Sequence, residues 1–280
     1  MIIFKQVAPL SSHLQQQKNQ GRKIGFVPTM GALHQGHLAL IETSRKENDL
    51  VVCSIFVNPT QFNNQNDFQN YPSTLENDIH QLALAGCSIL FLPATGEIYP
   101  PDHLKKHYEL GEIEHQLEGH YRPGHFQGVC QVVDRLLDIV DPHRLYLGQK
   151  DFQQCMVIQK LLQLTGRESS IAIKIVPTVR EADGLAMSSR NLRLDARQRQ
   201  LAAALYQELS GVRERLESTP LAQLKEEAIN NLVKKGFEVD YFEIAEAGTL
   251  HSAKSKENKL VVLVAATVGE VRLIDNLPLN

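Results

Sequence analysis

The chain has no tryptophan and only four cysteines in 280 residues, and both scarcities narrow its chemistry. Cys53, Cys87, Cys130 and Cys155 lie far apart, mostly within apolar stretches, and no two form a CxxC. Such spacing argues against a zinc ribbon, a redox pair or a disulfide framework and predicts buried, reduced thiols. Charge of one sign is also lacking: 29 Lys and Arg face 32 Asp and Glu, a net charge of −3. The broad basic excess of a nucleic-acid binder is therefore missing, and no nucleic-acid partner is expected. No apolar run reaches the ~18 residues of a membrane span, and no charged-then-apolar leader opens the chain. The expectation is a cytoplasmic protein with no membrane partner. Internal repeats and low-complexity segments are absent as well.

What is present is a regular alternation. Apolar strand candidates fall at 2–4, 24–27, 51–57, 89–92, 145–147 and 171–176. Between them, 11–19, 36–46, 74–85, 128–140 and 152–164 carry apolar residues at helical spacing. This βαβα order predicts an α/β fold, a Rossmann-like, doubly wound parallel sheet that binds ligands beyond its strand C-termini. Near residue 178 the pattern changes. A small polar segment, DGLAMSSRN at 183–191, precedes two long amphipathic helices near 195–217 and 221–235 and two strands at 238–245 and 259–266. The chain thus divides into residues 1–178 and a smaller α+β domain, 179–280, a length that suits one large and one small unit.

The most informative stretch is FVPTMGALHQGHLAL, residues 26–40, where a strand hands over to a helix through Gly31, Gly36, His34 and His37. A helix N-terminus there offers unpaired N–H groups and the positive end of the dipole, a natural phosphate site. The GxxxxG spacing is followed by His37 and Leu38 rather than Lys and Ser or Thr, against a Walker loop. HxGH taken alone still leaves open a capped helix with solvated histidines or, less favoured for want of a third ligand at matched spacing, a metal site. A second strand-to-helix junction, Gly148-Gln149-Lys150-Asp151, supplies a cation able to reach phosphate. Asn58 and Gln61 end the strand at 51–57, and 63–70 reads as a polar, mobile loop. Glu76 and Asp78 open a helix, as dipole partners do. The histidines of 93–125 are expected to be solvated. Ser188, Ser189 and Arg190 suit either phosphate recognition or helix capping.

Taken together, PTMGALHQGH, FVNPTQF, YP, RPGHFQGV, GQKDFQQ and AMSSRN stand in the order and at the separations found in the pantoate–β-alanine ligase (pantothenate synthetase) family, which the chain resembles over its full length. HxGH itself resembles the signature of the wider nucleotidyltransferase superfamily. The resemblance implies a C-terminal lid domain, a homodimer and an AMP-forming, Mg2+-dependent ligase with a pantoyl adenylate intermediate. It implies ATP along Met30, Gly31, Ala32, Leu33, His34, Gln35, Gly36 and His37, along Gly148, Gln149, Lys150 and Asp151, and at Val179, Met187, Ser188, Ser189 and Arg190. His37 would donate a proton, with His34 and Lys150 assisting catalysis. Gln61 would contact pantoate and β-alanine, Gln154 pantoate, and Asp78 the metal. Two departures from the family pattern stand out: Ser73 replaces an Arg after Tyr-Pro, and Asn77 precedes Asp78 where some members have adjacent aspartates.

Overall fold

A computed structural model describes residues 1–280. Six strands, β1 (Ile2–Phe4), β2 (Ile24–Thr29), β3 (Leu50–Ile55), β4 (Ile89–Phe91), β5 (Arg144–Gly148) and β6 (Ala172–Val176), form one sheet in the order β1-β4-β3-β2-β5-β6. Every pairing is parallel. Helices cover both faces, so the inner strands are apolar on both sides and read as runs rather than alternations. The larger core, on one face, packs the helix His125–Val140 and Leu10, Leu14 and Phe26 together; the smaller, on the other, joins Leu40, Ile41 and Tyr146.

This strand order positions the site. From β2 the chain steps outward through β3 and β4, then returns to β5 on the opposite side of β2, which makes the β2/β5 boundary the switch point of the sheet. Strands β2 and β5 pair only at Gly25 with Arg144 and Phe26 with Leu145. Beyond that point they part, and Pro28, which has no N–H to donate, lies in the unpaired portion. The crevice opens between the two glycine-containing junctions at 28–37 and 148–151.

The C-terminal part is an antiparallel sheet of β7 (Glu238–Glu246), β8 (Leu260–Val268) and β9 (Val271–Pro278). The helices Ala204–Arg215 and Leu221–Lys234 pack against it around Leu205, Leu209, Leu224 and Leu232. The architecture is therefore α/β with a smaller second sheet. Several expectations need correction. The helix expected at 195–217 breaks at Ala203, and β9 has no counterpart among the expected strands. The helix expected to begin at Gly128 begins at His125, and β3 ends at Ile55 rather than Val57. The 63–70 loop holds a short helix, Gln65–Gln69, capped by Asn64. No helix is long and apolar enough to cross a membrane.

Candidate functional site

His34 is the N-cap of the helix Gln35–Glu47, and its Nδ1 accepts the N–H of Gly36 at 3.1 Å while the Nδ1 of His37 accepts the N–H of His34 at 3.3 Å. Two rings thus serve as a reciprocal capping box, satisfying amides that a helix start leaves unpaired. The arrangement assigns the tautomers. With Nδ1 accepting in both rings, the proton sits on Nε2, which leaves two N–H donors free for a ligand. Burial, then the mutual proximity of the rings and the ammonium of Lys150, lowers His34 to about 3; burial and Lys150 lower His37 to about 4. Both are neutral at pH 7, so they donate hydrogen bonds rather than positive charge.

Lys150 sits in the turn Gln149–Asp151 with its Nζ 3.4 Å from Asp151 Oδ1. The turn is held from the other domain: buried Asn276 on β9 donates to the carbonyls of Gln149 at 3.0 Å and Lys150 at 2.8 Å. Nearby, Ser189 Oγ donates to the carbonyl of Ala32 at 3.0 Å, and Met187 N–H to the carbonyl of Val179 at 3.0 Å. Ser188 caps the turn Ser189–Arg193. Arg190 is engaged with Asp67 through Nη2 at 2.8 Å and Nε at 3.3 Å, and Arg193 joins the same carboxylate at 2.9 Å. The 63–70 segment, expected to be mobile, is thereby tied to the small domain.

Gln61 ends the turn Pro59–Gln61 and is buried; its Oε1 accepts from Asn58 Nδ2 at 3.1 Å. That turn lies directly on Gly128, where an added Cβ would stand 2.2 Å from the Thr60 carbonyl oxygen and 2.7 Å from Gln61 Cα. Only glycine permits so close an approach. Of the paired amides at 153–154, Gln153 is structural, donating to the carbonyls of Ile113 and Gln116 and accepting from the N–H of Glu118. Gln154 faces the cavity.

Met30, His34, Gly36, His37, Gln61, Gly148, Lys150, Asp151, Gln154, Val179 and Met187–Arg190 all line one cavity of about 280 Å³. Gly31, Ala32, Leu33, Gln35 and Gln149 lie outside it: Gln35 is exposed, Gln149 turns toward Asn276, and the other three form the back of the loop. The reason is Asp78. Its carboxylate is buried and accepts the N–H groups of Ala32 at 2.9 Å and Leu33 at 2.8 Å and the hydroxyl of Thr74 at 2.9 Å. These bonds hold Gly31 (φ 83°) and Ala32 (φ 48°) in the left-handed region, which costs an alanine about 1–2 kcal/mol. Asp78 is therefore a loop support, three of its acceptor sites being taken by Ala32, Leu33 and Thr74. No cluster of three or more His, Cys, Asp or Glu suited to a metal exists in the chain, so the residues do not fit a protein-built magnesium cage.

Sequence reasoning missed three further contributors. Gly128 and Asn276 act only through tertiary contacts. His125, expected to be solvated with its neighbours, is buried and donates from Nδ1 to the carbonyl of Gln61 at 2.8 Å. Its place in RPGHFQGV is the only sequence signal that singled it out.

Comparison with known proteins identifies relatives along the full chain. Residues 2–278 match the family model described as pantoate-beta-alanine ligase. A pantothenate synthetase of Cytophaga hutchinsonii is 43% identical over 284 residues, covering 99% of each chain. One from Neisseria meningitidis serogroup B is 45% identical over 268 residues, 94% of this chain and 95% of that one. The crystal structure of pantothenate synthetase from Thermus thermophilus superposes with a TM-score of 0.93 at 40% identity, covering 100% and 99% of the two chains. The pantoate–β-alanine ligase of Francisella tularensis, complexed with beta-gamma ATP and β-alanine, superposes at 0.83 with 39% identity, covering 99% and 97%.

Proposed function

The chain belongs to the pantoate–β-alanine ligase family, and from that premise we propose that it condenses pantoate with β-alanine through a pantoyl adenylate, releasing pyrophosphate and then AMP. A free carboxylate resists an amine because its charge repels the nucleophile and oxide is a poor leaving group. Adenylation removes both obstacles. A pantoate carboxylate oxygen attacks the α-phosphorus of ATP and the bond to the pyrophosphate oxygen breaks. The β-alanine amine then attacks the acyl carbon, the mixed anhydride opens, the amine loses a proton, and AMP leaves with the oxygen that pantoate contributed.

The observation that carries this reading is the placing of two neutral Nε2–H donors, His34 and His37, and the ammonium of Lys150 in one cavity with the side-chain amides of Gln61 and Gln154. The first three answer charge that builds on phosphate oxygens as pyrophosphate departs. His37 does so as a hydrogen-bond donor rather than as an imidazolium acid. Gln61 and Gln154 hold pantoate, Gln61 also facing the incoming β-alanine. Neutral amides leave the carboxylate nucleophilic. Residues 179–280 act as the lid, with Ser189 on the loop carbonyls and Asp67 against Arg190 and Arg193 closing the cavity against water. Val179, Met187, Ser188 and Arg190 complete the nucleotide side with Gly148 and Asp151. Magnesium would arrive on the ATP phosphates, as it commonly does in such sites.

The homodimer would form along β6, one of the two outer edges of the large sheet, where Ile175 is 46% exposed; a light-scattering mass near 31.4 kDa would refute it. Four cysteines buried as free thiols suit a reducing, cytoplasmic setting. The chemistry is tested with pantoate carrying 18O in its carboxylate. AMP should acquire one labelled oxygen per turnover, and unlabelled AMP would refute acyl adenylation.

A further inference from the structure

The Gln61 carbonyl is the end of a chain of contacts that begins in the other domain. His125 Nδ1 stands 2.8 Å from that carbonyl, so Nδ1 must carry the proton and Nε2 must be the acceptor. Arg122 Nη1, 3.2 Å from Nε2, donates to it, and its Nη2 donates to the same carbonyl at 3.5 Å. The ring is locked in one neutral tautomer, because a proton on Nε2 would face the guanidinium. Arg122 in turn is held by Glu118, Nη1 to Oε2 at 3.4 Å. The Glu118 carboxylate is buried and receives Arg272 of β9 in a fork, at 2.9 and 2.6 Å, with the Tyr241 hydroxyl of β7 at 3.0 Å. Asp240 fixes the remaining face of Arg272 at 2.6 Å.

We propose that His125 is a positioning residue through which the seating of the C-terminal domain, sensed by Glu118 and Arg272, sets the place of the Gln61 amide. The proposal rests on Gln61 being a pantoate ligand. Each link is directional, and the turn it reaches has no slack, because Gly128 backs it at van der Waals limit. When Arg272 leaves Glu118, Arg122 is freed to pair with the carboxylate alone, His125 loses its donor, and the Gln61 carbonyl loses the partner that holds its turn. Pantoate binding and the Arg272–Glu118 contact are then one event, while His34, His37 and Lys150 share no hydrogen bond with Glu118, Arg122, His125 or Arg272, and the Lys150 turn is held separately by Asn276.

A merely structural brace would lower stability without choosing between substrates. The test therefore measures pantoate-dependent exchange of labelled pyrophosphate into ATP, with ATP affinity measured separately by calorimetry. His125→Leu should raise the pantoate KM about tenfold or more and leave ATP affinity within about twofold. His125→Asn, which returns an N–H near the Nδ1 position, should recover most of the loss. Arg272→Gln should move the pantoate KM in the same direction, and the double variant should be no worse than His125→Leu alone, since linked residues are non-additive. Additive losses, an unmoved pantoate KM in Arg272→Gln, or equal loss of both substrates would overturn the proposal. Should His125→Leu not fold, Arg272→Gln decides by itself. Wild-type protein that fails to exchange overturns the ligase reading and this proposal together; wild-type exchange with unmoved variants overturns the proposal only.

Discussion

Substituting Gly128 by alanine is the sharpest available perturbation of the side of the cavity proposed to hold pantoate. The new Cβ would lie 2.2 Å from the Thr60 carbonyl oxygen and 2.7 Å from Gln61 Cα, both backbone atoms, and such contacts must open beyond 3.0 Å. The helix His125–Val140 is buried along most of its length and cannot retreat easily, so the turn Pro59–Gln61 has to move by about 1 Å, at an overpacking cost of about 1–3 kcal/mol. A misplacement of about 1 Å is enough for a loss of roughly a hundredfold in rate, or about 2.7 kcal/mol. We expect kcat/KM for pantoate to fall by that factor in pyrophosphate exchange while ATP affinity by calorimetry is kept. Gly211→Ala is the control: its Cβ meets nothing within 4 Å, and it lies inside the helix Ala204–Arg215. It should raise stability by up to about 1 kcal/mol and leave kinetics alone. If Gly128→Ala kept normal pantoate kinetics, or lost ATP equally, Gln61 would not be the pantoate contact described here.

Lys150→Ala and His37→Ala should each slow adenylation by about a hundredfold or more, as for other preorganised donors, with thermal unfolding changed little; near-native turnover would remove them from the mechanism. Gln154→Ala should raise the pantoate requirement roughly ten- to a hundredfold, from a charged hydrogen bond of about 1.5–3 kcal/mol, and a variant that loses ATP instead would place the substrates wrongly. Acid should destabilise the fold. His125 is lowered to about 3 by burial and the neighbouring Arg122, so below its ordinary 6.5 the unfolded chain takes a proton that the folded chain refuses. Its contribution is complete above that value and declines as pH falls toward about 3, by at most about 1.4 kcal/mol per pH unit. Glu118, lowered to about 2 against its burial by Arg272 and Arg122, adds a loss of the same sign below 4.5. Urea midpoints should drop steadily from pH 7 to 4.5; a flat profile would contradict a neutral buried His125.

The sheet was legible because parallel inner strands announce themselves as apolar runs, and β2 through β5 are such runs. The two strand-to-helix junctions that meet at the cavity were legible because glycine stands beside histidine or lysine in sequence at 31–37 and 148–150. What escaped is what tertiary structure alone brings together. Glu118 and Arg272 are 154 residues apart, and neither lies in a pattern that marks it as buried and paired. β9 escaped for a related reason: Arg272, Asp275 and Asn276 interrupt its apolar pattern because Arg272 and Asn276 bind the other domain and Asp275 pairs with Arg180. Asp78 misled in the opposite direction. A carboxylate beside a phosphate loop invites a metal, yet its oxygens hold the N–H groups of Ala32 and Leu33, and helical position cannot tell these uses apart.

In the proposed reaction ATP is cleaved at the α-phosphorus by pantoate before β-alanine is needed. Labelled pyrophosphate offered with the enzyme, ATP and Mg2+ tests it directly. Incorporation into ATP is expected when pantoate is added and β-alanine is omitted, and none without pantoate. Exchange that ignores pantoate, or that begins only when β-alanine is supplied, would contradict it.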